Sequence, residues 1–556
     1  MSEPLGIDHG VLERWAGCQT CRAIWQRLTS EQPLEGNVNL GSFDEALSTS
    51  CPHHKPLLQA FYEEHNEVST SKDVGFRSDA QRHHIYLTES VSSLGVCWRV
   101  ALANNNSVPN HPGTVRLLDP DWADLDILKK WKDACISSHG AVCHNPLKIW
   151  YARPAWLIDV ERECLVPGSV EGNYVALSYT NGDHTGCLTD ATVREKLQVS
   201  HALTDPSLSE YIPAILRNAT YLTSAIGERY LWVDTICIPH ENRESATDQL
   251  CLMGAIYANA IVTIVAADGD SMTGLAGLKG ISEPRGLEQK VIPFGNEKLL
   301  VRDDLNFEFQ ARRPYYERGW VFQELRLSAR KIVFYNNKLH WKCQCSTWFS
   351  WLDFFDWGKF NLLVSRYNNL ALRYDEDALP AISGYLSVMS RVFKGGFLYG
   401  IPEMVFERGL GWRPYFPNCN LERRIRSSRS HDTQLTPSGL PSWSWIGWKG
   451  LVHTGLDEAT RVGIKGTIEE STPITEWYTS RSPDDPPDQW RRIKTTWYEN
   501  RDSYKDFTRP LPPGWTCHDA PDEAPGHNGP HLYPDGCEKV SLLQDKQSSA
   551  PWISEE

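Results

Sequence analysis

Tyr230-Leu231-Trp232-Val233-Asp234-Thr235-Ile236-Cys237-Ile238 is an apolar run broken by a single acid, the pattern of a strand covered on both faces, as in a parallel sheet. On its N-terminal side, residues 213–226 carry helical spacing, with Pro213 near the first turn and Gly227 as the stop. Before that helix, Tyr174-Val175-Ala176-Leu177-Ser178-Tyr179 reads as a second buried strand, followed by the turn-forming Thr180-Asn181-Gly182-Asp183-His184. On the C-terminal side, a polar loop at 239–247 leads into a helix at 248–259 and a third apolar strand at 260–267. Strand, helix, strand, helix, strand predicts a doubly wound α/β arrangement. Such sheets bind ligands in loops at the carboxyl ends of their strands. Asp234, at one such end, is either a contact residue or the cap of a neighbouring helix.

Further along, Arg318-Gly319-Trp320-Val321-Phe322-Gln323-Glu324 sets an acid four residues beyond a tryptophan at the start of an element. In a helix beginning near Trp320 the two side chains share one face. The helical pattern runs on through Leu327, and Lys331-Ile332-Val333-Phe334-Tyr335 then reads as another buried strand. A carboxylate beside an indole, between two elements, is a candidate site. The competing structural reading makes Trp320 core and pairs Glu324 with an arginine elsewhere.

Composition narrows the class. A chain of 556 residues with 41% hydrophobic content is long enough for several domains with ample core. A net charge of -14 without a dense Lys/Arg run argues against nucleic acid or a membrane surface as the main partner. The longest apolar stretch, 258–267, is too short to span a bilayer, and the N-terminal residues lack the pattern of a signal peptide, so a cytoplasmic location is expected. Fifteen cysteines, an odd number scattered through apolar contexts, suit reduced thiols better than a disulfide framework. Trp, at 22 residues, marks large rigid core anchors.

Composition shifts divide the chain into an N-terminal accessory region at 1–168, expected to be mainly helical, and a central α/β domain at 169–350. A mixed, Trp-rich C-terminal region follows at 351–470, then a loop-rich tail at 471–556 dense in Pro, Asp and Gly. A helix is expected within 122–138, others at 360–372 and 381–392, and a strand with alternating indoles at 441–448.

Three blocks in order carry a family resemblance: YVALSY; RYLWVDTICI with MGAIYANAIVTIVAA; and RGWVFQELRLSARKIVFY. In sequence, order and spacing they resemble the fungal heterokaryon-incompatibility (HET) domain, over roughly 170–345. The later GIPEMVF and PSWSWIGW segments resemble the C-terminal region common to such proteins. Two departures fall in loops that would line a site. Asn181 stands where the family usually has Trp in Tyr-x-Trp-Gly, and Cys237-Ile238-Pro239-His240-Glu241 stands where it usually has Cys-Ile-x-Gln-Asp.

The resemblance implies non-self recognition in a filamentous fungus, ending in growth arrest or programmed cell death. HET domains are in turn similar to Toll/interleukin-1 receptor (TIR) domains, which implies a TIR-like doubly wound parallel sheet. Enzymatic members of that fold carry a Trp-x-x-x-Glu helix and cleave the nicotinamide–ribose bond of NAD. By this resemblance Glu324 is the catalytic carboxylate and Tyr179 and Trp320 shape the nicotinamide slot beside Ser178. Asp183, Asp234 and Arg318 are then candidates for ribose or phosphate contacts. No resident cofactor is implied; self-association on activation and an unidentified recognition partner protein are. The alternative is a non-enzymatic signalling module acting through TIR-like assembly.

Two further constellations offer metal ligands. Cys18-x-x-Cys21 with Cys51 and His53 has the residue types of a tetrahedral zinc site in the N-terminal region. Cys135, His139 and Cys143 recur every fourth residue, so one helix face would carry all three, a stripe more often found as core. Cys343-Gln344-Cys345 reads as strand alternation.

Overall fold

The computed structural model describes residues 17–29, 37–65, 72–79, 84–89, 97–103, 114–145, 149–182, 190–302, 314–343, 357–390, 395–426, 436–437, 439–456, 475–480, 485–493, 495, 515–518, 531–534 and 553–554. The chain opens with helices α1 (Gln19–Thr29), α2 (Phe43–Leu47) and α3 (Lys55–Glu64), packed on strands β1 (Asn37–Ser42), β2 (Asp73–Asp79), β3 (His84–Glu89) and β4 (Cys97–Ala103), while β5 (Thr114–Val115) pairs with β4. This corrects the expectation of a mainly helical N-terminal region. Its first strand is half-exposed, Asn-Val-Asn-Leu-Gly-Ser, and such alternation reads as polar loop in a sequence, although β4 is buried along nearly its whole length. Ser42 starts α2 with a reciprocal capping box to Glu45.

Helix α4 (Leu125–His139), capped by Asp124, leads into the central sheet. Its strands are β6 (Trp156–Asp159), β7 (Cys164–Pro167), β8 (Tyr174–Ser178), β9 (Tyr230–Trp232) and β10 (Val262–Ala266). A hairpin, β11 (Lys290–Phe294) and β12 (Glu297–Arg302), then returns to the first sheet, where β12 pairs antiparallel with β4. Strands β13 (Arg330–Tyr335) and β14 (Lys338–Cys343) continue the central sheet. The sheet order is β14-β13-β10-β8-β9-β6-β7, with Ile553–Ser554 against β14. The strands β13, β10, β8 and β9 run parallel, and β6, β7 and β14 are antiparallel additions. Strands β6 and β7, although they precede residue 169, thus belong to this central sheet.

Every residue of β8 and of β10 is buried, which is why both read as continuous apolar runs. The chain steps from β8 to β9 on one side, then crosses back to β10 and β13 on the other. The crossovers carry α5 (Ala191–Leu197), α6 (Ala214–Ala225), the one-turn α7 (Asp234–Cys237), α8 (Arg243–Asn259, capped by Asn242) and α9 (Val321–Leu327). The expected strand over 230–238 therefore ends at Trp232. Asp234 Oδ1 accepts the Thr235 amide at 2.8 Å and the Cys237 amide closes on Val233 O at 2.7 Å, so the segment turns helical at the acid.

Beyond the sheet, α10 (Trp357–Asn368) and α11 (Pro380–Met389) form a second core with Trp445, Ile446 and Val452. That core also takes in Ala255 and Ala258 of α8 and Phe322 and Leu327 of α9. The expected strand at 441–448 is instead a turn: Ser444 Oγ accepts the Ile446 amide and starts a 3-10 segment, Trp445–Gly447. The tail beyond 471 lies largely outside the described residues.

Candidate functional site

The reversal of strand order falls between β8 and β10, where an open α/β sheet leaves a crevice at the strands' carboxyl ends. Ser178 ends β8 there, 1% exposed, and its hydroxyl donates to Glu324 Oε2 of α9. With that proton committed, the Tyr315 hydroxyl, 2.5 Å away, is the donor to Ser178 Oγ. Tyr257, on α8, donates to Leu177 O at 2.9 Å and lies within hydrogen-bonding reach of the Glu324 carboxyl. Strand β8, helix α8, the segment before α9 and α9 itself thus converge on one carboxyl group that is 3% exposed.

Local contacts fix α9 in that place. Ser328 Oγ donates to Glu324 O at 2.6 Å, closing the last turn, and shares a 2.7 Å bond with Thr263 Oγ1 of β10. At the other end the Gly319 amide donates to Ala371 O at 2.6 Å. A Cβ on Gly319 would stand 2.3 Å from Leu372 Cδ2, so any larger residue there would have to displace the Leu372 side chain. The Trp320 indole, packed against both cores, donates to Asp377 Oδ2 at 3.4 Å and ties α9 to the C-terminal region.

Arg318 and Asp234 flank the carboxyl group. The Arg318 guanidinium donates to Tyr179 O, and the Tyr179 hydroxyl shares a 2.9 Å bond with Thr235 Oγ1. Burial pushes the Glu324 carboxyl up to about 7; the Arg318 charge and the Ser178 hydroxyl pull the other way, and the Asp234 charge adds to the rise. Burial likewise raises Asp234 against the pull of Arg318, and it lowers His240. Burial, then the neighbouring Glu324 charge, holds Tyr257 and Tyr315 well above the ordinary phenol value, so both remain donors near neutrality.

This gives a pH signature with a definite sign. Between the ordinary carboxyl value of 4.5 and about 7 the folded state keeps a proton on Glu324 that the unfolded state has lost. Glu324's contribution to stability is therefore full below that window and falls by about 3 kcal/mol as pH rises through it. Urea midpoints measured from pH 4 to 8 are expected to converge on, then drop below, those of Glu324→Gln. Parallel curves for the two proteins would show that Glu324 does not titrate there.

Of the residues singled out by sequence, the structure brings Ser178, Tyr179, Asp234, Arg318 and Glu324 together, while Asp183 lies outside the described residues. Tyr257 and Tyr315 were not among them. Both lie in blocks quoted for other reasons, and neither carries a local signal for partners 80 or 137 residues away. The two departures from the family pattern have structural occupations. Asn181 accepts Ser271 Oγ through its carbonyl at 2.5 Å. Glu241 pairs with Arg194 at 2.6 Å, whose guanidinium also donates to Ile236 O and Ile238 O at 2.9 Å and so fastens the loop after α7.

A separate cluster lies in the N-terminal region. Cys18, Cys21, Cys51 and His54 place their ligand atoms within 4.8 Å of one another. His54 takes the place expected of His53: it is 5% exposed at the start of α3, with its Nδ1 3.2 Å from Cys21 Sγ and 3.6 Å from Cys18 Sγ. Cys21 and Cys51 sulfurs are 3.5 Å apart. A tetrahedral zinc ion, with bonds of about 2.3 Å to sulfur and 2.0 Å to nitrogen, sets such edges at roughly 3.5–3.8 Å, so the donor set fits. Chelation is expected to lower the melting temperature of the N-terminal unit, since α1 and α3 would lose a shared staple. An unchanged thermal transition after stripping, with no zinc detected before it, would overturn this assignment.

In comparison with known protein families, residues 174–324 match the family described as heterokaryon incompatibility protein (HET). No curated protein and no solved structure matched the chain. The matched span begins with β8 and ends on Glu324, so it coincides with the elements that build the site.

Proposed function

We propose that this chain, which carries a heterokaryon incompatibility domain at 174–324, is a non-self recognition effector whose central domain hydrolyses NAD at the nicotinamide–ribose bond and so triggers cell death. The observation carrying this reading is the Glu324 carboxyl, buried at the strand-order reversal and pushed up to about 7. A TIR-like doubly wound fold is part of the proposal, and the parallel order β9-β8-β10-β13 supports it.

The chemistry needs one carboxylate. Nicotinamide is cationic in NAD and leaves neutral, so no general acid is required, in contrast to glycosidases with paired carboxylates. The ribose left behind is oxocarbenium-like, and an ionised Glu324 beside it supplies the stabilising charge. An entering pyridinium favours the ionised form, as any nearby cation does. In this reading Arg318 and Asp234 would contact phosphate or ribose hydroxyls and Tyr179 and Trp320 would shape the nicotinamide slot, with Ser178, which donates to Glu324, orienting the carboxylate. Because Glu324 is 3% exposed, cleavage requires an opening of this arrangement, and self-association driven by a recognition partner in the cytoplasm is the proposed trigger.

The same burial favours a second reading, in which Ser178, Tyr257 and Glu324 form a latch in a module that acts by assembly and catalyses nothing. Nicotinamide release from purified full-length protein, incubated with NAD under crowding, separates the two. Release is the expected result. None from demonstrably assembled protein would remove the enzyme reading, and host toxicity surviving Glu324→Ala would then support the module that acts by assembly.

A further inference from the structure

Cys135 and His139 stand one turn apart at the end of α4, but the helix stops at His139 and Cys143 lies in the 3-10 turn Gly140–Cys143, so the three do not share one helix face as expected. Strand β14 brings Cys343 to them across 204 residues of sequence, and the four ligand atoms lie within 4.8 Å of one another. The His139 Nδ1 atom is 3.6 Å from both Cys143 Sγ and Cys343 Sγ. These separations equal the roughly 3.5 Å sulfur–nitrogen edge of a tetrahedral zinc site. The three sulfurs are at most 3% exposed, so they face one another rather than solvent.

A second observation points the same way. Arg330, 2% exposed, sits opposite Cys343 in the β13–β14 register and donates from Nε to Cys135 Sγ at 3.2 Å. Its other bond is a long one to Ile261 O at 3.5 Å, and among the described residues no carboxylate pairs with it. A buried guanidinium without a counter-charge is costly. Three thiolates and one neutral imidazole around a divalent ion carry a net charge of -1, which is the partner this guanidinium lacks. Soft sulfur donors in this number select zinc over hard divalent ions such as magnesium or calcium.

We propose that Cys135, His139, Cys143 and Cys343 bind a structural zinc ion that staples helix α4 and the turn after it to strand β14 of the central sheet. Binding releases the three thiol protons to solvent and involves no change of oxidation state. All four positions are filled by protein, so the site is closed and non-catalytic. It is distinct from the cluster on α1 and α3, whose ligands belong to a different core.

Full-length protein purified without chelator is expected to hold two zinc ions by native mass spectrometry with elemental analysis. Cys343→Ser is expected to lose one equivalent, Cys343→His to keep it, and Cys21→Ser to remove the other equivalent independently. A soluble Cys343→Ser protein with unchanged zinc would overturn the proposal, as would a parent chain with no zinc or with one ion lost in Cys21→Ser. Should Cys343→Ser fail to fold, anomalous diffraction at the zinc edge from crystals of the unaltered chain decides. A peak among the four residues supports the site, and its absence refutes it.

Discussion

Replacing Glu324 by Gln is expected to cut nicotinamide release by assembled protein about 10²–10³-fold, the range for removing one preorganised electrostatic group. The substitution keeps the shape and the Ser178 hydrogen bond, because the amide oxygen still accepts from the hydroxyl. The amide nitrogen can donate to the Tyr257 hydroxyl, whose own proton is spent on Leu177 O. The variant therefore folds, and near neutrality it is at least as stable as the parent, since no buried carboxylate remains to be ionised. Activity lost while stability is kept separates a chemical role from structural damage. Should release survive at parental rate, Glu324 is not the essential carboxylate, and Asp234, raised by burial beside the same arginine, becomes the next candidate.

The largest expected loss of stability comes from a residue with no side chain. A Cβ on Gly254 of α8 would stand 2.9 Å from the Gly384 Cα of α11 and 2.9 Å from Leu327 Cδ1 of α9. Helix propensity favours Val over Gly by a few tenths of a kcal/mol. Forcing two backbones apart costs about 3 kcal/mol or more, so the clash dominates. Gly254→Val is expected to lower the urea midpoint of the whole chain and to loosen α11. Gly384→Val should do the same, and the double variant should cost less than the sum, because the first replacement already opens the shared gap. A parental midpoint for Gly254→Val would mean that the two helices do not meet in this way.

Legibility in the sequence followed how far each signal reaches. Strands β8 and β10 and helices α4 and α6 were legible because burial on both faces, or a stop such as Gly227, writes itself into adjacent residues. The N-terminal sheet was not, since half-exposed strands such as β1 alternate weakly and look like loop. The Trp alternation at 443–448 misled for the opposite reason: the indoles at 443 and 448 donate to the carbonyl-rich turn or stand exposed, and Ser444 caps a turn among them. In the site, Glu324 and Ser178 stood in motifs, but Tyr257 and Tyr315 act through contacts that no local pattern encodes. The choice between His53 and His54 depended on which side of one turn faces α1, and the place of Cys343 beside His139 depended on sheet order.

The meeting of Gly254 with Gly384 also bears on how the two halves of the chain communicate. A joint of interdigitating side chains resists shear, because each ridge must climb out of its groove before the next register is reached. Here the central contact is backbone against backbone, so it acts as a smooth bearing, and α9 lies against the same two helices. Leu327 and the Phe322 ring, which packs edge-on against Tyr385 of α11 at 5.7 Å, lie beside that contact, so a shift of α11 along α8 would reach α9 through them. Glu324 stands on the same short helix, so its position is tied to that joint rather than set by its own side chain alone.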